Sequence, residues 1–151
     1  MSMPALPMEG SCRCGQIRIR VSAPPLLTMA CHCRGCQKMS ASAFSCSAAI
    51  PSPGFEVIEG EPVIGGAHGD DTNHYHCPHC KSWMFTRAVG MDQFVNIRPT
   101  MLDDAGWFAP FIETYTSTKL PWAATGAVHG FEEFPPMDAY EGLVKAFASR
   151  P

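Results

Sequence analysis

Hydrophobic and polar residues alternate over several short segments of the chain. In residues 16–22, Ile17, Ile19 and Val21 alternate with Arg18 and Arg20, which is typical of a half-buried strand. Similar patterns predict strands over residues 43–50, 55–58, 72–76, 83–89, 94–97 and 111–116, and the glycine-rich residues 65–71 predict a turn. Fourteen prolines and thirteen glycines disfavour long helices. The sequence therefore predicts a mainly β fold of short strands.

Two segments depart from this pattern and predict short helices. Residues 37–42 form the first, directly after a cysteine-rich segment. The second covers about residues 137–148, after two prolines, and its apolar residues recur at helical spacing: Met137, Tyr140, Leu143, Val144 and Phe147. We expect this stripe to pack against the same chain; binding a partner is the alternative.

The size and charge of the chain exclude some classes of function. A length of 151 residues suits a single domain over 1–151, with a core at about 10–135 and the C-terminal helix outside it. The net charge of -3 gives no reason to expect nucleic acid or an anionic membrane as a partner. No apolar segment is long enough to span a bilayer, and the first ten residues lack the pattern of a signal peptide. We expect a cytoplasmic protein with reduced thiols, of unspecified oligomeric state.

Seven of the eight cysteines fall into three groups. Two of these groups offer two sulfurs each: Cys12 and Cys14 in a C-x-C turn, and Cys77 and Cys80 in a C-x-x-C turn between two predicted strands. Structural zinc takes four ligands in a tetrahedron, and cysteine thiolates satisfy it well. Together these four cysteines predict a closed structural zinc site that ties the N-terminal strand to the hairpin.

The remaining group, Cys31, Cys33 and Cys36, lies in one short segment. Three sulfurs leave a tetrahedral ion one ligand short, and an open position is typical of catalytic zinc. A substrate thiol would bind there as its thiolate, because zinc lowers the pKa of thiols. We therefore expect two Zn²⁺ per chain, with the second site binding less tightly and being filled only in part.

Other interpretations of these residues stay open. All seven cysteines could be structural, with His32 or another side chain closing the second site, or the C-x-x-C could be a redox dithiol. Cys46 lies in an apolar stretch, where we expect a buried, unreactive thiol rather than the nucleophile of a sulfoxide reductase. The histidines near the C-x-x-C are interpreted as surface residues or as supports of the ligands: His68, His74, His76 and His79.

The order of the motifs resembles the glutathione-dependent formaldehyde-activating enzyme (GFA) family, which includes the centromere protein V group. The similarity covers residues 10–15 (GSCRCG), 31–38 (CHCRGCQK), 77–80 (CPHC), 100–104 (TMLDD) and 119–122 (KLPW). The sequence differs from the family pattern at two places. Lys81 stands where the family often has glycine after the second C-x-x-C, and Thr100 and Met101 stand where it usually has Gly-Thr.

The resemblance implies a mostly antiparallel β-tent fold. It implies structural zinc on Cys12, Cys14, Cys77 and Cys80, and catalytic zinc on Cys31, Cys33 and Cys36. The family's founding activity joins formaldehyde to glutathione, and it is classed as a carbon–sulfur lyase. The prediction is a zinc-dependent lyase-like enzyme that acts on a glutathione-like thiol adduct of formaldehyde or another small electrophile; the alternative is a non-catalytic, zinc-stabilised binding module.

Five further side chains are weighed for a role in the predicted chemistry. Arg34 and Lys38 could hold a substrate carboxylate, and Gln37 could donate a hydrogen bond to the substrate, although a solvated basic face is the simpler interpretation. Asp103 and Asp104 are expected to form a turn rather than to transfer protons.

Overall fold

The computed structural model describes residues 3–67 and 69–151. Its strands are β1 (Met8–Ser11), β2 (Arg18–Val21), β3 (Leu27–Cys31), β4 (Ser45–Pro51), β5 (Phe55–Glu59), β6 (Val63–Gly65), β7 (Thr72–His76), β8 (Trp83–Ala88), β9 (Phe94–Ile97), β10 (Ile112–Thr114) and β11 (His129–Gly130). The α-helices are α1 (Arg34–Ser40) and α2 (Tyr140–Ala148). The predicted mainly β fold, with short helices and one at the C-terminus, is confirmed.

The chain divides into two compact units. Unit 1 comprises the described residues of Met1–Pro25 and Ala48–Phe108, and unit 2 comprises Leu26–Ser47 and Ala109–Pro151. Each unit has its own group of buried apolar side chains. The single domain over residues 1–151 stays a prediction.

Unit 1 contains a three-stranded antiparallel sheet in the order β1-β2-β5. As the alternation predicts, Ile19 and Val21 of β2 are buried. On the other face, Arg20 contacts Glu9 at 3.2 Å and Glu56 at 2.9 Å. The unit also contains antiparallel pairs in the order β4-β9-β8-β7-β6, and its core includes Ile50, Met84, Phe85, Val95 and Ile97.

One glycine of unit 1 allows a close approach of two backbone segments. Gly10 on β1 forms an isolated antiparallel bridge with Leu102. A Cβ atom at Gly10 would lie 2.0 Å from the carbonyl oxygen of Met101, so no other residue fits without a backbone shift. The contact places residues 100–104 directly against the strand that leads to Cys12, which joins two of the sequence motifs.

Unit 2 contains parallel strand pairs in the order β11-β10-β3. The antiparallel pattern predicted from the family resemblance therefore has two parallel exceptions. Thr114, the last residue of β10, pairs with Cys31, the last residue of β3. Because the strands are parallel, the segments that follow them leave from the same end of the sheet. This arrangement positions residues 115–118 beside the segment that carries Cys33.

The helices differ from the prediction at their starts. The first begins at Arg34 rather than residue 37, because Cys33 caps it by accepting the backbone N–H of Cys36. The C-terminal segment starts with a 3-10 turn, Met137–Ala139, before α2. Leu143 and Phe147 are buried as predicted, but Met137 is 72% exposed, because it lies on the turn rather than on the helix. Over the described residues, no helix is long and apolar enough to cross a membrane.

Candidate metal centres

Four cysteines of unit 1 converge on one point. The sulfurs of Cys12, Cys14, Cys77 and Cys80, here called the four-cysteine cluster, all lie within 4.8 Å of one another. The sulfur of Cys14 is 3.6 Å from that of Cys12 and 3.7 Å from that of Cys77. Thiolates on a tetrahedral zinc ion, with bonds of about 2.3 Å, lie about 3.8 Å apart. The spacing and the donor chemistry therefore fit a zinc ion.

Backbone amides stabilise the four-cysteine cluster. In the turn between β7 and β8, the N–H of Cys80 donates to the sulfur of Cys77 at 3.4 Å, and the N–H of Lys81 donates to the Cys77 carbonyl at 3.0 Å. After β1, the N–H of Ile17 donates to the sulfur of Cys12 at 3.4 Å. Hydrogen bonds of this kind favour the thiolate form that a metal binds.

Ser82 joins the two turns of the cluster and is a residue that sequence reasoning missed. Its hydroxyl lies 3.2 Å from the sulfur of Cys80 and accepts the backbone N–H of Arg13 at 3.1 Å. Burial raises the pKa of Cys80, but the hydrogen bonds from Ser82, Cys14 and Cys77 together outweigh it and lower the pKa to about 5. The only signal in the sequence is a hydroxyl two residues after the C-x-x-C, which is too common to be informative.

Lys81 occupies a backbone conformation that favours glycine. Its φ of 65° lies in the left-handed region, which costs a residue with a side chain about 1–2 kcal/mol. The ammonium of Lys81 donates to the Pro78 carbonyl at 2.6 Å. The turn thus keeps the shape that a glycine would give it, although the family's common glycine is absent.

Three cysteines of unit 2 form a second cluster. The sulfurs of Cys31, Cys33 and Cys36, here called the three-cysteine cluster, lie within 4.8 Å of one another. Cys31 ends β3, Cys33 caps α1, and Cys36 lies in the first turn of that helix. The hydrogen bond between the thiols of Cys31 and Cys36 is the main cause that lowers the pKa of Cys31 to about 5, and it raises the pKa of Cys36. Three soft donors fit zinc, and among the described residues no further cysteine, histidine, aspartate or glutamate joins them to complete a tetrahedron.

His32 does not complete the three-cysteine cluster. Its side chain is 0% exposed, packs edge-on against Phe44 at 5.3 Å, and places Nε2 3.5 Å from Oε2 of Glu113. Among the residues that the structure describes, no histidine, aspartate or glutamate ligand atom lies within 4.8 Å of all three sulfurs. The ligand-bearing loop therefore directs its histidine into the interior of unit 2.

A polar network supports the loop that carries these cysteines. The carbonyl of His32 accepts hydrogen bonds from Nε2 of Gln37 at 2.9 Å and from the hydroxyl of Thr118 at 2.9 Å. Gln37 also donates to the Thr118 carbonyl at 3.1 Å and accepts from Arg34. Because both amide hydrogens of Gln37 are used within the protein, Gln37 orients the loop and does not donate to a substrate.

A buried carboxylate lies beneath the same loop. Glu113 is 9% exposed, accepts from Nζ of Lys119 at 2.8 Å, and also accepts from the hydroxyl of Thr125. Burial raises the pKa of Glu113, but the hydrogen bonds from Lys119 and Thr125 outweigh it, and the pKa is lowered. The family-like residues 119–122 therefore begin with a lysine that neutralises the charge facing His32.

An open groove of about 430 Å³ lies along α1 in unit 2. Arg34 and Lys38 contribute two cations to it, and Leu120 and Trp122 contribute apolar surface; Gln37, Ala41, Ser42 and Ala43 complete the lining. Trp122 is 72% exposed. A groove with two cations and an aromatic ring suits a small anion that also carries an apolar part.

The other predicted side chains lie outside both clusters. Asp104 accepts the N–H of Gly106 in a turn, as expected, and Asp103 lies 3.8 Å from Arg18. His74 contacts the hydroxyl of Thr86 at 2.9 Å, His76 stacks on Trp83, and His79 is exposed. Cys46, on β4, is only partly buried, so burial does not isolate its thiol as fully as the sequence predicts. His68 lies outside the described residues.

Comparison with known families decides the relationship of the chain. Residues 7–118 match the family described as glutathione-dependent formaldehyde-activating enzyme, abbreviated GFA, over more than half of the chain. The chain belongs to the GFA family. The matched residues include all seven clustered cysteines, whereas Leu120 and Trp122 of the groove lie beyond them. The family name indicates glutathione-related formaldehyde activation, and the cysteine clusters are compatible with metal binding.

Solved structures add information on the fold of this GFA family member. A crystal structure of a Rhodobacter sphaeroides protein is similar, with a TM-score of 0.54 and 17% sequence identity. The match covers 64% of this chain and 88% of that chain. At this identity, the likeness shows a shared fold. No curated protein matches the chain.

Proposed function

We propose that this GFA family member is a zinc-dependent carbon–sulfur lyase-like enzyme. Its substrate is the adduct of a glutathione-like thiol with formaldehyde or another small electrophile. The observation that carries the proposal is the three-cysteine cluster. Its three sulfurs converge, and no histidine, aspartate or glutamate among the described residues adds a fourth ligand. A catalytic metal needs such a position for its substrate, whereas a structural metal does not.

The two clusters take different roles in this proposal. Cys12, Cys14, Cys77 and Cys80 would hold a structural zinc that stabilises unit 1, since their sulfurs converge on one point. Cys31, Cys33 and Cys36 would hold the catalytic zinc. When bound there, the ion would supply Lewis acidity that keeps a substrate thiol in its thiolate form. The protein would work in the cytoplasm, where thiols stay reduced, without nucleic acid or membrane partners.

The groove along α1 supplies the substrate contacts of the proposal. Arg34 and Lys38 lie on the same helix as Cys36, two residues from it on either side. A carboxylate bound by these cations would hold a peptide-like thiol close to the cluster, and Trp122 would cover its apolar part. Fixing the thiol before reaction would reduce the entropy cost of bringing two small reactants together.

Zinc content and turnover in two serine variants test the proposal. Wild-type protein should hold up to two zinc ions and accelerate both formation and breakdown of the thiol–formaldehyde adduct. Cys33→Ser should keep the first zinc and a cooperative unfolding transition, lose most of the second zinc, and lose turnover. Cys46→Ser, which changes a cysteine outside both clusters, should match the wild type.

Two outcomes would overturn the proposal. One is full zinc content with unchanged thiol binding and turnover in Cys33→Ser. The other is a wild-type protein with two fully ligated zinc ions and no affinity for glutathione or related thiols, which would favour a non-catalytic, zinc-stabilised binding module.

A further inference from the structure

Tyr115 occupies a position in unit 2 that the chemistry of the cysteines does not explain. It directly follows Thr114, which pairs with Cys31 across the parallel strands β10 and β3. The N–H of His32 donates to the Thr114 carbonyl at 2.9 Å, which fixes the two strand ends together. Tyr115 therefore leaves the sheet beside the loop that carries Cys31 and Cys33.

The backbone of Tyr115 is strained. Its φ of 57° lies in the left-handed region, where a residue with a large side chain is rare. The surrounding hydrogen bonds maintain this conformation: the N–H of Tyr115 donates to the Glu133 carbonyl at 3.2 Å, and its carbonyl accepts from Thr118 at 3.1 Å. Residues in such conformations concentrate at functional sites, where the strain directs a side chain.

The side chain of Tyr115 is half-buried and oriented. Its ring packs edge-on against Phe134 with 5.0 Å between the ring centroids. Among the residues described by the structure, no side chain or backbone group forms a hydrogen bond with its hydroxyl. Burial, the Glu133 carboxylate and the charges of Cys31, Cys33 and Cys36 raise the pKa of Tyr115, so the phenol stays protonated and keeps its proton to donate.

We propose that Tyr115 is a catalytic residue that donates a hydrogen bond to the oxygen of the electrophile. This inference rests on the proposed function. As the thiolate sulfur forms its bond to carbon, the carbon–oxygen π bond breaks and its electron pair moves to oxygen, which then takes a proton from water. In the reverse reaction the hydroxyl proton returns to water, the carbonyl forms again, and the sulfur leaves as thiolate. The phenol stabilises the charge on oxygen in both directions.

The test compares two tyrosines of unit 2. Tyr115→Phe removes only the hydroxyl and should lower kcat about 100-fold, as expected for loss of one such donor. Its zinc content, its Tm and the KM for the thiol should remain those of the wild type. Tyr140 is the matched control, because it lies on α2 and its pKa is raised by burial and by the charge of Cys31. Tyr140→Phe should leave kcat unchanged.

A second variant tests the orientation of the phenol. Phe134→Leu removes the ring against which Tyr115 packs, and it should lower kcat by a smaller factor than Tyr115→Phe while zinc content is unchanged. Wild-type kcat in Tyr115→Phe, or an equal loss in Tyr140→Phe, would overturn the inference while leaving the proposed function intact. A wild-type protein that turns over no thiol adduct would instead overturn the proposed function, and this inference with it.

Discussion

The four-cysteine and three-cysteine clusters use the same ligand but are built differently. The first combines two turns that lie 63 residues apart, measured from Cys14 to Cys77, so each turn depends on the other. The second takes all its sulfurs from one loop, whose shape depends on Gln37, Thr118 and Glu113 rather than on a second set of ligands. The difference indicates that a metal ion at the four-cysteine cluster stabilises the fold. At the three-cysteine cluster, the surrounding fold instead holds the cysteines in position to bind their metal ion.

The largest expected effect comes from removing one sulfur from each cluster. Cys77→Ser should abolish cooperative unfolding or leave a metal-poor protein, because structural zinc binding contributes about 10 kcal/mol or more to folding. Cys36→Ser should leave unit 1 folded and its zinc bound, and should eliminate turnover. Thermal unfolding with zinc analysis of both variants measures the contrast. Equal loss of structure in the two variants would contradict it.

The buried carboxylate gives the next largest effect. Glu113→Gln removes the charge that faces His32 and Lys119, and it should weaken zinc binding at the three-cysteine cluster about tenfold. The four-cysteine cluster should keep its affinity. Competition with a chromophoric chelator measures both sites, with a Glu132→Gln variant, which changes an exposed glutamate of the same unit, as the control.

The same variant has a defined pH dependence. Because the pKa of Glu113 is lowered in the folded protein, its ionised form contributes stability above the ordinary glutamate pKa of about 4.3. That contribution is lost as the pH falls through this value and below it. The difference in Tm between the wild type and Glu113→Gln should therefore stay constant down to about pH 5 and shrink as the pH is lowered further to about 3. If the difference in Tm grows as the pH is lowered, the pKa of Glu113 is raised rather than lowered in the folded protein, and the prediction is wrong.

A pair of hydroxyl deletions sharpens the comparison further. Ser82→Ala removes the hydrogen bond to the sulfur of Cys80, and Thr118→Ala removes the one to the carbonyl of His32. Each should cost about 1 kcal/mol. Chelator-driven zinc release should accelerate only at the four-cysteine cluster in the first variant and only at the three-cysteine cluster in the second. Acceleration at both sites in either variant would show that the clusters are not supported separately.

The smallest expected effect is at the turn of the four-cysteine cluster. Lys81→Gly relieves the strain of the left-handed backbone at position 81, but it also raises the conformational entropy of the unfolded chain. The net effect should be a stabilisation of the protein by about 0.5–1 kcal/mol. Gly15→Ala is the opposite test. The φ of Gly15 is +83° and no atom would crowd the new Cβ, so the strained backbone alone should destabilise the protein by about 1 kcal/mol. Chemical denaturation measures both, and a stable Gly15→Ala would contradict the strain argument.

The sequence predicts those parts of the fold that depend on local patterns. The alternation and the C-x-x-C turn give β7 and β9 at their observed bounds, because each pattern lies within a few residues. Strand β1 is missed because it contains Gly10, a residue type that does not favour strands. This glycine allows the close backbone approach to Met101. The parallel pairing of β3 with β10 is also missed, because no local pattern specifies which distant strands will pair.

The candidate site divides in the same way. Cysteine spacing alone identifies the residues that the structure brings together as two groups. The residues that orient them are not predictable, because their hydrogen bonds join distant positions: Gln37 and Thr118 are 81 residues apart. Tyr115 is missed for a related reason, since its position follows from the register of β10 against β3 and from a left-handed backbone.

Zinc K-edge X-ray absorption, with and without added thiol, tests the division into a closed and an open site most directly. Seven cysteine sulfurs around two zinc ions give an average of about 3.5 sulfurs per ion in the two-zinc protein. Glutathione should raise this average to about four, because its sulfur takes the open position at Cys31, Cys33 and Cys36. An average that does not change on addition of glutathione would contradict the account.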